Sequence, residues 1–283
     1  NIAHGTNSIT ATRAALSYAD IVVTEAGFAF ELGAEKFFDI NCRYGGFAPA
    51  CTVLVATIRA LKMHGGKPLA EISRPDVDAM VRGLSNMEKH IENIRKFGQP
   101  CIVAINHFPT DSPEEVEKLR QHCKTLGIEA VEAKPFSEGG KGCTGLATVV
   151  RDMVAASEPQ YTPLYDWNAS IEQKILTVAR EMYGAHAVDY TARAKRDRDQ
   201  LEKAGFGKLP VCIAKTQQSL SDNPALLGRP KDFLVTVREI QLAAGAGFVI
   251  PITGEIMRMP GLPKEPMAHR FDLTDDGEIT FSR

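Results

Sequence analysis

The sequence predicts an α/β protein: a parallel or mixed sheet with helices on both faces, followed by smaller α/β and sheet-rich C-terminal domains. Three observations predict it. Short runs rich in Val and Ile ("DIVVTEA", "CTVLVATI", "PCIVAIN", "IEAVEA") alternate with segments of helical period, and their continuous hydrophobicity suits strands covered on both faces. The segment Pro75 to Phe97 sets Val77, Met80, Val81, Leu84, Met87, Ile91 and Ile94 at helical spacing and stops at Gly98. From Leu209 on, "LPVCIAKT", "FLVTVREIQLAA" and "GFVIPIT" follow one another as strands with little helix between them.

Taken in order, "DIVVTEA" reads as a strand ending in Thr24-Glu25-Ala26-Gly27, where open α/β sheets place their ligands. In the loop after it Phe37 and Phe38 read as core, whereas Phe28, between Gly27 and Ala29, reads equally as core or as a stacking platform. "VATIRALKMHGG" takes a buried strand into Arg59, Lys62 and His64; such cations suit an anionic ligand or a carboxylate partner, or are plain surface charges. His64 alone makes no metal site, and no metal-ligating set is read from the sequence.

"CIVAINHFPTDSPEE" then ends a strand in Asn106, His107, Phe108 and Pro109. The amide of Asn106 offers a donor and an acceptor together, the pair that reads a heterocycle edge, and Phe108 offers a flat apolar face on a loop that Pro109 stiffens. Asp111 reads also as a turn residue. Ser112-Pro113-Glu114-Glu115 is a capping box, and its helix runs to about Leu126 and Gly127. The glycine-rich "FSEGGKGCTG" lies between a strand and a helix, as phosphate loops do, yet Gly142 follows Lys141 where GxxxxGK[ST] requires Ser or Thr. It is read as a flexible wall of a cleft, with Phe136 facing Phe108.

"LATVVRDMVAA", "SIEQKILTVAREMYG" and the charged "ARAKRDRDQLEKAG" read as helices, the last with a solvated face. "AKTQQSLSDNP" and "MRMPGLPKEP" (Met257 to Pro266) read as connections and interface, and "TDDGEI" as a hairpin turning at Asp276-Gly277.

The 283 residues, 44% hydrophobic with a formal charge of -2, carry no basic stripe for nucleic acid and no polybasic membrane segment, which leaves small molecules and proteins as partners. Apolar windows fall short of the roughly 18 to 20 residues that span a bilayer. The six cysteines lack CxxC spacing and read as reduced and structural, in a cytoplasmic protein. The opening residues, with no initiator Met and no apolar leader, read as the middle of a protein.

Several of these stretches, "NIAHGTNSITATRAAL", "DIVVTEAGFAFELGAEKFFDI", "VATIRALKMHGG", "NMEKHIENIRKFG", "KTQQSLSD" and "ITGEIMRMPGLP", resemble formate-tetrahydrofolate ligases, and the resemblance spans essentially the whole chain. It implies a P-loop NTPase-like fold whose N-terminal half, with P-loop and catalytic residues, lies upstream. Residues 1–92 would then complete the nucleotide-binding domain, 93–205 form a second α/β domain carrying the folate loops, and 206–283 a small sheet-rich domain. The implied reaction phosphorylates formate with ATP and Mg²⁺ and passes the formyl group to N10 of tetrahydrofolate; a monovalent cation is a further candidate cofactor. Phe108, Pro109 and Phe136 match the pterin-binding positions, and Phe136 departs from the Trp common there, keeping a stacking face of smaller area. Phe28, Gly27 and Asn106 are assigned to the nucleotide or ligand cleft. The resemblance also implies a homo-oligomer, commonly a tetramer, and the N-terminal half as partner. The alternative is a non-catalytic folate- or nucleotide-binding fragment or regulatory paralogue. A dinucleotide-dependent oxidoreductase is disfavoured by the lack of GxGxxG after a strand.

Overall fold

The computed structural model describes residues 4–6, 8–254, 256 and 263–281. Most of the Met257–Pro266 stretch, and part of the opening one, therefore lie outside the described residues. The chain is a mixed α/β protein with one parallel sheet, one mixed sheet and a terminal hairpin. Among the described residues no helix is long and apolar enough to cross a membrane.

Helix α1 (Ile9–Tyr18) starts at Ser8, whose hydroxyl accepts the Ala11 N–H, and it buries no residue. The expected strand across Asp20–Ala26 does not form: the segment bends at Asp20 and Ile21 and joins no ladder, with Val23 84% exposed. Apolar composition gives a strand only where a neighbouring edge supplies hydrogen bonds, and among the described residues this run has none.

Residues 29–45 form a buried helix, α2, made of the wide turns Ala29–Ala34 and Phe37–Cys42 and finished by Arg43–Gly45. Phe37 and Phe38 are core as the sequence predicts, and Phe38 stacks on Phe97 with centroids 4.6 Å apart. The helix can sit this deep because Gly33 meets the preceding chain without a side chain: a Cβ there would lie 1.6 Å from the Ala26 carbonyl oxygen. Gly33→Ala is therefore expected to destabilise the protein by about 1–3 kcal/mol, as overpacking does. Gly140→Ala, where a Cβ would meet nothing within 4 Å, should stay within about 0.5 kcal/mol of wild type. Urea midpoints compare the two, and equal midpoints would contradict the close approach.

The parallel sheet has the order β1 (Thr52–Ala56), β2 (Cys101–Asn106), β3 (Glu129–Ala133). Helices α3 (Ile58–His64) and α4 (Val77–Lys96) join β1 to β2, and α5 (Pro113–Thr125) joins β2 to β3. Each start is fixed by a side chain: Thr57 and Asp76 cap α3 and α4, and the expected capping box at Ser112 and Glu115 forms. The stripe on α4 is buried at Met80, Leu84, Met87, Ile91 and Ile94. Five of the six residues of central β2 are buried, whereas on edge strand β1 Val55 is 62% exposed.

After β3 come a short helix α6 (Pro135–Glu138), a 3₁₀ turn (Gly139–Cys143) and α7 (Thr144–Ala156). Helix α8 (Ile171–Val178) runs through a wide turn, Ala179–Tyr183, to Gly184. Strand β4 (Ala187–Tyr190) pairs parallel with β5 (Leu234–Ala243), which pairs antiparallel with β6 (Phe248–Thr253); α9 (Ala192–Lys203) follows β4. The expected strand "LPVCIAKT" makes only isolated bridges to β6, at Val211 and Ala214. The hairpin at the end is β7 (Phe271–Leu273) and β8 (Ile279–Phe281), turned by Gly277 at φ +80 while Asp276 keeps a negative φ. One continuous apolar core, running from Phe38 and Phe97 through Ile105 to Tyr183 and Val235, joins the elements of both sheets.

Candidate functional site

Parallel pairing sets Ala56 opposite Ile105 and Asn106 opposite Ala133, so the chain leaves β1, β2 and β3 along one carboxyl edge. The His107 N–H donates to the Ala133 carbonyl (2.9 Å) and extends the β2–β3 pairing by one residue. Asn106, Phe108 and Pro109 thus leave the sheet beside Lys134, Pro135 and Phe136. Asn106 and Phe108 are half-buried and Pro109 is exposed. Phe136 is 85% exposed, too open for a core residue.

The Phe108 loop is tied at several points. Its N–H donates to Asp111 Oδ2 (2.9 Å), and the Asp111 N–H returns to the Phe108 carbonyl (2.9 Å), so Asp111 is a turn residue that shapes the loop. The Arg59 guanidinium lies over the Phe108 ring, 4.2 Å from its centroid. Glu132 on β3 gathers basic side chains, with the Lys134 ammonium at 3.1 Å, the Arg120 guanidinium at 3.5 Å and the His107 imidazole at 3.9 Å.

The glycine-rich stretch differs from the flexible wall expected of it. The Lys134 N–H donates to the Gly142 carbonyl (3.0 Å), and the segment winds into helical turns because Pro135 starts a helix immediately. Of the other sequence candidates, Lys62 is buried and paired with Glu115 at 3.2 Å, and His64 accepts the Gly228 N–H (3.2 Å). Burial, and then His90, lower His64 to about 4, so it is neutral near pH 7. Gly27 takes φ +80 and Phe28 is 65% exposed at the head of α2. Phe28 is therefore no core residue, and no hydrogen bond or ring contact among the described residues links it to the Phe108 loop.

The sequence reading missed a buried layer of charge below Phe28. Glu31, two per cent exposed, pairs with fully buried Lys215 (Oε1 to Nζ, 3.2 Å). The ammonium meets three acceptors, Glu31 and the carbonyls of Thr216 (2.9 Å) and Ser219, which match its three N–H donors. Burial alone would raise Glu31, but Lys215 and then His90 outweigh it and hold its carboxyl below the usual range.

One turn further, Glu35 and Asp39 are buried side by side, and both Glu35 oxygens and Asp39 Oδ2 have no hydrogen-bond donor. Two facing carboxylates have no donor between them unless one keeps a proton. Burial, and then the Asp39 charge, hold Glu35 well above the ordinary range; burial pushes Asp39 up to about 7 against the Leu164 N–H and Arg43. Folded pKa values above the unfolded ones mean that the native state binds the extra proton. This stabilisation is complete below about pH 4, where the unfolded groups also protonate, and is lost as pH rises through the folded values. Glu35→Gln replaces the shared proton by an amide N–H, so between pH 5 and 8 its denaturant midpoint should fall less steeply with pH than that of wild type. Parallel slopes would contradict the shared proton.

All six cysteines are free, and burial pushes the Cys42 and Cys101 thiols up to about 12, which leaves them inert at neutral pH. Among the described residues no group of three or more His, Cys, Asp or Glu side chains can hold a metal ion.

An exposed aromatic, an amide and a group of basic side chains thus lie together at the carboxyl edge of a parallel sheet, the edge where open α/β sheets place their ligands. A sequence model of the family formate–tetrahydrofolate ligase matches residues 1–281. The formate–tetrahydrofolate ligase of Syntrophus aciditrophicus (strain SB) is 53% identical over 280 residues, covering 99% of this chain and 50% of that relative. The chain belongs to the formate–tetrahydrofolate ligase family, and it spans about half the length of the curated relative it matches.

Proposed function

We propose that this chain is the folate-binding half of an ATP-dependent formate–tetrahydrofolate ligase, and that the P-loop NTPase-like half is supplied by the rest of the protein. In the reaction a formate oxygen attacks the γ-phosphorus of ATP, releasing ADP and leaving formyl phosphate. The N10 amine of tetrahydrofolate then attacks the formyl carbon; phosphate departs and N10 loses a proton, giving 10-formyltetrahydrofolate. The part assigned to this chain is positioning, which converts an encounter of two substrates into an oriented attack. Phe108 and Pro109 provide the face for the pterin, Phe136 faces it from the neighbouring loop, and Asn106 reads a ring edge. Phe28 and Gly27 belong to the cleft shared with nucleotide.

The observation that carries this reading is the register that brings Asn106–Pro109 and Lys134–Phe136 out on one sheet edge, in a chain of this family. Phosphoryl transfer is assigned elsewhere, because the sequence has no GxxxxGK[ST] and its glycine-rich segment is wound into helix. Mg²⁺, when bound with ATP, supplies charge neutralisation at the phosphates, and a monovalent cation stays a candidate. Edge strand β1, which among the described residues pairs only with β2, is where the sheet of the N-terminal half would continue. Residues 1–92 then belong with the nucleotide-binding part, 93–205 with the folate loops and 206–283 with the C-terminal part of a cytoplasmic homotetramer, although neither boundary is a break in the fold: 92 falls within α4 and between paired β1 and β2, and 205 between paired β4 and β5. The full-length protein should form 10-formyltetrahydrofolate only when formate, ATP and tetrahydrofolate are all present. Residues 1–283 alone should form none, and product from the purified piece, or none from the full-length protein, would refute the assignment. A regulatory paralogue would bind folate in both forms and turn over in neither.

A further inference from the structure

Arg59 is the third residue past Ala56 and Phe108 the third past Ile105, and Ala56 and Ile105 are register partners. Arg59 lies in the first turn of α3 and Phe108 on the loop after β2, so both leave the sheet at the same edge. The guanidinium carbon lies 4.2 Å from the Phe108 ring centroid, and Nη2 donates to Thr110 Oγ1 at 3.1 Å, on the same loop. No carboxylate lies within ion-pair reach of Arg59 among the described residues, and its Nε is buried without a hydrogen-bond partner. The grip of this side chain is thus on the ring and the loop. Its nearest basic neighbours in sequence are committed elsewhere: Lys62 to Glu115 and His64 to Gly228.

We propose that Arg59 is a positioning residue for the ring bound on Phe108. It occupies one face of the phenyl ring, fixes its plane and leaves the opposite face as the stacking surface for a flat, electron-rich heterocycle. A cation on the far face draws π density toward itself and makes the near face the better partner for an electron-rich ring. This inference rests on the proposed assignment of Phe108 to the pterin. It adds the residue that determines which face is offered.

The test is a double-mutant cycle in the full-length enzyme, using Arg59→Ala, Phe108→Ala and both together, with Arg59→Lys as the conservative variant. Arg59→Ala should raise the KM for tetrahydrofolate about tenfold, as loss of a cation–π contact at a partly desolvated site implies. The KM for ATP and the melting temperature should hardly move. Arg59→Lys, which keeps a cation over the ring, should recover most of the loss. In the Phe108→Ala background Arg59→Ala should add less than about twofold. A tenfold rise that persists without the ring would overturn the proposal, since Arg59 would then act on the ligand directly. An unchanged folate KM in Arg59→Ala, with Phe108→Ala still impaired, would overturn the positioning role and leave the stacking assignment standing. An unchanged folate KM in Phe108→Ala would remove both.

Discussion

Lys215→Met is expected to lower the stability of the protein by about 3–5 kcal/mol, the cost of leaving a buried charge without its counter-ion. Glu31 is two per cent exposed, its Oε2 has no donor, and its Oε1 is the acceptor of Lys215. Without the ammonium, the carboxylate would have only His90 near it, 3.5 Å from Oε2 in a geometry that makes no hydrogen bond. In the native protein burial lowers His90 against the pull of Glu31. The Thr216 and Ser219 carbonyls would lose their donor too. Glu31→Gln alone should be costly for the converse reason, as it strands the lysine. The pair Glu31→Leu with Lys215→Met removes both charges and should recover much of the loss, because well-packed apolar replacements of buried ion pairs are often near neutral. Guanidinium unfolding of the three variants checks this; a Lys215→Met protein within 1 kcal/mol of wild type would show that the pair carries no such stabilisation.

Much of the α/β order was legible because local chemistry and global position agree. Pro75 to Phe97 carries its helical stripe, an Asp76 cap and a Gly98 stop, and Ser112 with Glu115 closes the capping box that the sequence spells. "DIVVTEA" failed for a reason no local pattern records: a strand needs a neighbouring edge, and among the described residues this run has none. "LPVCIAKT" differs: it does lie along β6, joined by the bridges at Val211 and Ala214 and by backbone hydrogen bonds from Cys212 and Ala214, but the pairing is too broken to form a continuous strand. Asn106, Phe108 and Pro109 stand out in the sequence because a strand end with an amide, a ring and a Pro is unusual, and β2 does end at Asn106 as that pattern predicts. The winding of the glycine-rich stretch was set by Pro135, which was visible but was outweighed by the count of glycines. Glu31 with Lys215, and Arg59 with Phe108, lie 184 and 49 residues apart, and only the folded chain brings such partners together. Glu35 and Asp39 are one turn apart, but sequence spacing alone does not record their burial.

Phe108→Ala in the full-length enzyme is expected to raise the KM for tetrahydrofolate about tenfold to a hundredfold, the equivalent of the roughly 1–3 kcal/mol that a ring stacked on an aromatic side chain contributes. The KM for ATP should change little, since the proposed contact is with the pterin and not with nucleotide. Phe108 is only half-buried and its loop is held through its backbone by Asp111, so the deletion should leave the fold intact. A core phenylalanine would behave differently, losing about 3–5 kcal/mol of stability and weakening both substrates through unfolding. Phe108→Tyr keeps the face and should be mild. The decisive measurement is the initial rate against tetrahydrofolate and against ATP for wild type and Phe108→Ala, with a denaturant melt of each protein. A raised folate KM, an unchanged ATP KM and superimposable melts are expected; an unchanged folate KM in a well-folded Phe108→Ala enzyme would contradict the assignment of Phe108 to the pterin.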